Sequence, residues 1–86
     1  MPEISRFYGI VIKMYYNDHN PPHFHAEYGS SQMVVDIHTL AVIGGHLPPR
    51  AMGLVMEWAA QHQQHLQNAW QQARNMQSLD RIDPLP

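Results

Sequence analysis

Two histidines one residue apart, His23 and His25, stand in the segment Asn17-Asp-His-Asn-Pro-Pro-His-Phe-His-Ala-Glu-Tyr-Gly29. On a strand alternate side chains share a face, so His23, His25 and Glu27 project together while Phe24, Ala26 and Tyr28 point the other way. Two imidazoles and a carboxylate at that spacing approximate the two-histidine, one-carboxylate set that holds zinc, manganese or iron with positions left open. Asp18 and His19 on the preceding loop, and Asp36 and His38 on the following strand, are further groups able to complete it. The same residues allow metal-free acid–base chemistry. His25 facing Asp36 would gain orientation and a raised pKa from the carboxylate, with His23 or His38 as counterpart. A purely architectural role is the third reading, in which the histidines hydrogen-bond to Asp36, Glu27 and tyrosine side chains and fix strand register.

Such a cluster needs a scaffold, and composition bounds what that can be. With 86 residues the chain is one small domain, 1–86, near the lower end of what folds alone, so a homo-oligomer or a larger complex is expected. A hydrophobic share of 44% with 14% charged residues is globular in character. Five Lys and Arg and a net charge of −2 argue against a nucleic-acid partner held by phosphate neutralisation. The absence of cysteine excludes disulfides, thiolate nucleophiles and zinc-thiolate sites. Met1-Pro-Glu-Ile lacks the basic region and apolar run of a signal peptide, and no stretch suits a bilayer, so no membrane association and a cytoplasmic address are expected.

Four strand-like pieces precede one helix. Phe7 to Tyr16, rich in β-branched and aromatic residues, reads as one largely buried strand, and Asn17 to Pro22 supplies a turn. His23 to Tyr28 and Met33 to His38 read as a hairpin, and Ala41 to Ile43 continues the meander. If Ser30 and Ser31 form the hairpin loop, His25 lies opposite Asp36 and His23 opposite His38. Phe24, Ala26 and Tyr28 then stand beside Met33, Val35 and Ile37, leaving one face apolar.

Pro48-Pro49 sets up a helix from about 49 to 76, because proline at a first helical position loses only an N–H that had no partner. Ala51, Val55, Trp58, His62, Leu66, Ala69, Trp70 and Ala73 recur at steps of three and four, one stripe broken by His62. Such a helix is roughly 40 Å long at about 1.5 Å per residue, so its second half, with Leu66 and Trp70, is expected to project toward a partner. Arg50, just after the prolines, is placed to meet an anion at the helix start. The tail, 78–86, either packs back as an extended arm or stays loose. The fold class expected is α+β: a three- or four-stranded antiparallel meander over about 5–43, with one long C-terminal helix packed on its apolar face.

Three stretches carry a family resemblance: Ile4-Ser-Arg-Phe-Tyr-Gly-Ile-Val-Ile-Lys-Met-Tyr-Tyr-Asn-Asp18, Pro21-Pro-His-Phe-His-Ala-Glu-Tyr28, and Leu47-Pro-Pro-Arg-Ala51 followed by Glu57-Trp58. They resemble the bacterial family catalogued as domain of unknown function 4160, across nearly the whole chain. The resemblance implies a small component of a two-gene, toxin–antitoxin-like module, acting through association with a protein partner encoded nearby. The alternative expectation is a stand-alone metal-binding enzyme or metal-sensing module using His23, His25 and a carboxylate. Thr39-Leu40 stands where the family usually has a Thr-Gly turn, which leaves the tightness of that turn to be seen.

Overall fold

The computed structural model describes residues 2–86. Five strands, β1 (Glu3–Phe7), β2 (Ile10–Lys13), β3 (His23–Tyr28), β4 (Ser31–Asp36) and β5 (Val42–Gly45), form one antiparallel sheet in chain order. Two helices follow, α1 (Pro49–Gln61) and α2 (Gln63–Arg74). The fold is therefore α+β with an antiparallel meander, but with five strands and two helices in place of the expected three or four strands and one long helix.

The extra strand comes from dividing Phe7 to Tyr16. Tyr8 and Gly9 have φ of +51° and +80°, the pair of left-handed residues that a two-residue turn of type I′ requires, and the chain reverses there. Residues Glu3–Phe7 thereby pair with Ile10–Lys13, Phe7 opposite Ile10.

The β3–β4 hairpin turns at Gly29-Ser30, with Tyr28 opposite Ser31. Gly29 supplies φ +58°, which a glycine adopts without steric cost. Every partner is thus displaced by two residues from the expected register: His23 lies opposite Asp36 and His25 opposite Val34. A shift of two preserves sidedness, so Phe24 and Ala26 still face apolar partners, now Val35 and Met33 in place of Ile37 and Val35, and the four paired residues are fully buried.

Helix α1 starts where the prolines place it. His62 then leaves helical geometry (φ −128°, ψ 24°), and its N–H turns back to the Ala59 carbonyl at 3.1 Å. Beyond this break Gln63 donates from Nε2 to the Ile37 carbonyl at 2.8 Å, tying the start of α2 to the end of β4. Ala51, Val55, Trp58 and Ala59 of α1 and Leu66, Ala69, Trp70 and Ala73 of α2 all enter the core. The molecule measures 33 × 25 × 22 Å, too short for a straight 40 Å helix, and Leu66 and Trp70 are buried where a projecting end had been expected.

The tail packs back. Ile82 and Leu85 are buried, the Ile82 N–H donates to the Ile4 carbonyl at 2.8 Å, and Trp58 Nε1 donates to the Asp83 carbonyl at 2.8 Å. The turn after β4 is tight despite Leu40, which holds φ +59°; the Leu40 N–H donates to the Asp36 carbonyl at 2.8 Å. No helix among the described residues is long and apolar enough to cross a membrane.

Candidate metal centre

Asp18 lies on the loop between β2 and β3, His23 and His25 on β3. Their ligand atoms, one from each, fall within 4.8 Å of one another. The loop is held at several points. The Asp18 carboxylate accepts the His19 N–H at 3.0 Å, the Pro22 carbonyl accepts the Ile37 N–H at 3.0 Å, and Arg74 of α2 donates to Asn20 Oδ1 at 3.2 Å. His23, the first residue of β3, is nearly buried and packs on the Trp70 ring, centroids 5.2 Å apart.

The hydrogen-bonding of His23 is the informative geometry. Its Nδ1 lies 2.6 Å from the Pro21 carbonyl oxygen, and its Nε2 lies 2.9 Å from Asp18 Oδ2. A carbonyl can only accept, so Nδ1 carries a proton. Nε2 then either carries a second proton, making an imidazolium against the carboxylate, or directs its lone pair at an acceptor. The second arrangement is repulsive unless a cation lies between them.

His25 Nε2 is also directed at Asp18 Oδ2, but at 3.7 Å, beyond hydrogen-bond reach. It is buried and has no hydrogen-bond partner among the described residues. A buried, unpaired ring nitrogen costs about 1–3 kcal/mol. Tyr15 packs edge-on against this ring at 4.6 Å between centroids. Burial lowers the His25 pKa, repulsion from His23 in its protonated form lowers it further, and Asp18 offsets this only in part. The raised pKa expected from a partner carboxylate is therefore reversed. For Asp18, burial pushes upward but is outweighed by the His19 amide and the His23 imidazole, which hold it below the usual carboxylate range.

These donors fit a divalent metal. Bonds of about 2.0–2.1 Å to a tetrahedral ion put the ligand atoms about 3.3 Å apart; the two separations to Asp18 Oδ2, 2.9 and 3.7 Å, bracket that spacing, and the three ligand atoms together lie within 4.8 Å, so the two imidazoles would draw closer on an ion. The orphaned His25 Nε2 lies 3.7 Å from the same carboxylate oxygen. The Pro21 carbonyl on His23 Nδ1 is the kind of outer hydrogen bond that fixes the tautomer of a metal-ligating histidine. Three protein ligands leave further positions open.

The other residues expected at the site lie elsewhere. Glu27 shares the His25 face but pairs with Lys13 Nζ at 3.0 Å. Asp36 Oδ1 accepts the N–H groups of His38 and Thr39 at 2.8 and 3.0 Å and caps the turn after β4, so the expected His25–Asp36 acid–base pair does not form. Its carboxyl is held below the ordinary range mainly by the Thr39 amide. His38 is exposed, with Nδ1 3.5 Å from Gln67 Nε2, and His19 is exposed, only its N–H meeting Asp18. Sequence reasoning missed three supports: the Pro21 carbonyl, the Arg74–Asn20 link and Trp70 behind His23. The Pro-Pro-His order was the available signal for the first, since a carbonyl two residues back sits within reach of a strand-leading imidazole.

The family model described as "Domain of unknown function (DUF4160)" matches residues 9–71. The chain belongs to this family. The span matched to DUF4160 contains all three candidate ligands and Trp70, and leaves β1 and the tail outside it. No curated protein and no solved structure matches the chain.

Proposed function

We propose that this member of DUF4160 is a small metal-binding protein whose Asp18 Oδ2, His23 Nε2 and His25 Nε2 take one divalent transition metal, zinc, manganese or iron. The observation that carries the reading is His23 wedged between two acceptors, with the buried His25 nitrogen unpaired beside it. A cation at that point would satisfy His25, stand where a proton otherwise lies between His23 Nε2 and Asp18 Oδ2, and use a carboxylate already held ionised. Three clefts on the surface of the molecule are lined by residues other than these three. That favours an ion that staples the β2–β3 loop to β3, as in a sensing or structural site, over one that turns over a small buried substrate.

The test is elemental analysis of protein purified without a histidine tag, beside the His23→Ala, His25→Ala double variant. Near-stoichiometric metal that disappears in the folded double variant supports the site; metal-free protein that also takes up none from zinc, manganese or iron solutions refutes it.

Protein association within a two-gene, toxin–antitoxin-like module is the second reading. Arg50 supports it, as an exposed cation without a partner among the described residues, whereas the buried Trp70 and Leu66 do not.

A further inference from the structure

Most of the charged side chains are already engaged. Arg6 and Arg81 pair with Glu3, Lys13 with Glu27, and Arg74 donates to Asn20. Arg50 makes no ion pair or side-chain hydrogen bond among the described residues, nor does Glu57 seven residues further along α1. Arg50 stands where two clefts of about 260 Å³ each adjoin, sharing Tyr8, Arg50 and Leu54 between them. Ile10 and Leu54 give the first cleft an apolar floor, and Tyr8 and Tyr28, 59% and 40% exposed, form its rim. The second runs on to Glu57.

Neither aromatic is placed there by chance packing. A Cβ on Gly9 would lie 3.4 Å from Tyr28 Cε1, so the Tyr28 ring rests against the bare backbone of the β1–β2 turn. Tyr8 holds a left-handed conformation that costs a residue with a Cβ about 1–2 kcal/mol, and its hydroxyl donates to the Pro86 carbonyl, which fixes the ring at the rim while leaving the residue largely exposed.

We propose that this double cleft docks a short extended segment of a protein partner, with an acidic side chain at Arg50, a basic side chain at Glu57, and an apolar side chain between them against Leu54 and the tyrosines. Seven helical residues separate the two charges by about 10 Å. A segment in the extended polyproline II conformation rises about 3.1 Å per residue with three residues per turn, so side chains three positions apart span this distance on one face, and the pattern is acid, two intervening positions, base. Each cleft has room for a side chain or two, not for an enclosed small molecule. The docking uses none of Asp18, His23 or His25, and stands or falls apart from the metal reading.

The experiment is selection of a displayed random-peptide library against the full chain, followed by affinity measurement on the enriched peptides. The expected result is enrichment of the acid-x-x-base pattern with an apolar intervening residue. Affinity should fall about tenfold or more in folded Arg50→Glu protein, and a peptide with its two charges exchanged should recover binding to the Arg50→Glu, Glu57→Lys double variant. The His23→Ala, His25→Ala variant should bind the original peptides as the parent does. Failure to enrich any pattern, enrichment of an unrelated one, or equal binding by Arg50→Glu protein overturns the proposal.

Discussion

Adding zinc to metal-stripped protein should raise its melting temperature by an amount that can be worked out. Asp18 and the two histidines lie on different elements, a loop and a strand, so an ion held by all three binds the folded chain and not the unfolded one. At free zinc one hundred times the dissociation constant the added stability is about 2.7 kcal/mol. Unfolding entropy of about 2.1 cal/mol/K per residue converts this, for a chain of 86 residues, into a rise of about 15 °C. Seven histidines also offer the unfolded chain some affinity, which reduces the shift. The His23→Ala, His25→Ala variant keeps five of them and supplies the correction. Calorimetry on both proteins with and without zinc makes the measurement. A rise below about 2 °C at saturating zinc, or an equal rise in the double variant, would refute the reasoning, because neither is compatible with an ion shared between loop and strand.

Acid should destabilise the metal-free protein in two windows. The His25 pKa is depressed in the fold, so its contribution is complete above the unfolded value of about 6.5 and is lost as pH falls through the lower folded value. Asp18, also depressed, contributes above about 3.9 and loses its share at lower pH still. His25→Gln should remove the first loss and leave the second, as followed by urea midpoints across pH. Gly45→Ala should destabilise by about 3 kcal/mol or more, since its Cβ would fall 2.2 Å from the Gln32 carbonyl oxygen at φ +64°. Gly53→Ala, with open space in α1, should instead stabilise by about 0.5–1 kcal/mol; chemical denaturation of the pair separates the two cases.

Sidedness was legible in the sequence because it depends only on alternation: Phe24 and Ala26 face the core, His25 and Glu27 the other side. The start of α1 was legible because two prolines leave few alternatives. Register was not, since displacement by two residues conserves the apolar pattern, and that displacement separates His25 from Asp36. The first turn was hidden because a tyrosine, not an asparagine or glycine, takes its first left-handed position. At the helix break, Gln61-His62-Gln63 contains neither glycine nor proline; the signal was only that His62 interrupted the apolar stripe. Asp18 was one of several candidates in the sequence, and it is the loop closure that brings its carboxylate to His23.

That break at His62 also shapes the site. A helix running straight through it would carry Trp70 and Arg74 away from the sheet. Ending α1 there, and anchoring Gln63 to the Ile37 carbonyl, sets α2 so that Trp70 backs the His23 ring and Arg74 holds Asn20. The His23 ring is thus gripped on one side by an aromatic core residue and on its edges by Pro21 and Asp18. With the imidazole so fixed, Nε2 has one direction to offer a ligand, and that direction meets Asp18 with His25 Nε2 alongside. A Trp70→Ala substitution should therefore weaken zinc binding as well as stability, although Trp70 contributes no ligand atom. Zinc titration of that variant at a temperature where circular dichroism shows it folded tests the coupling, and affinity equal to the parent's would show that the loop and strand position the ligands without help from α2.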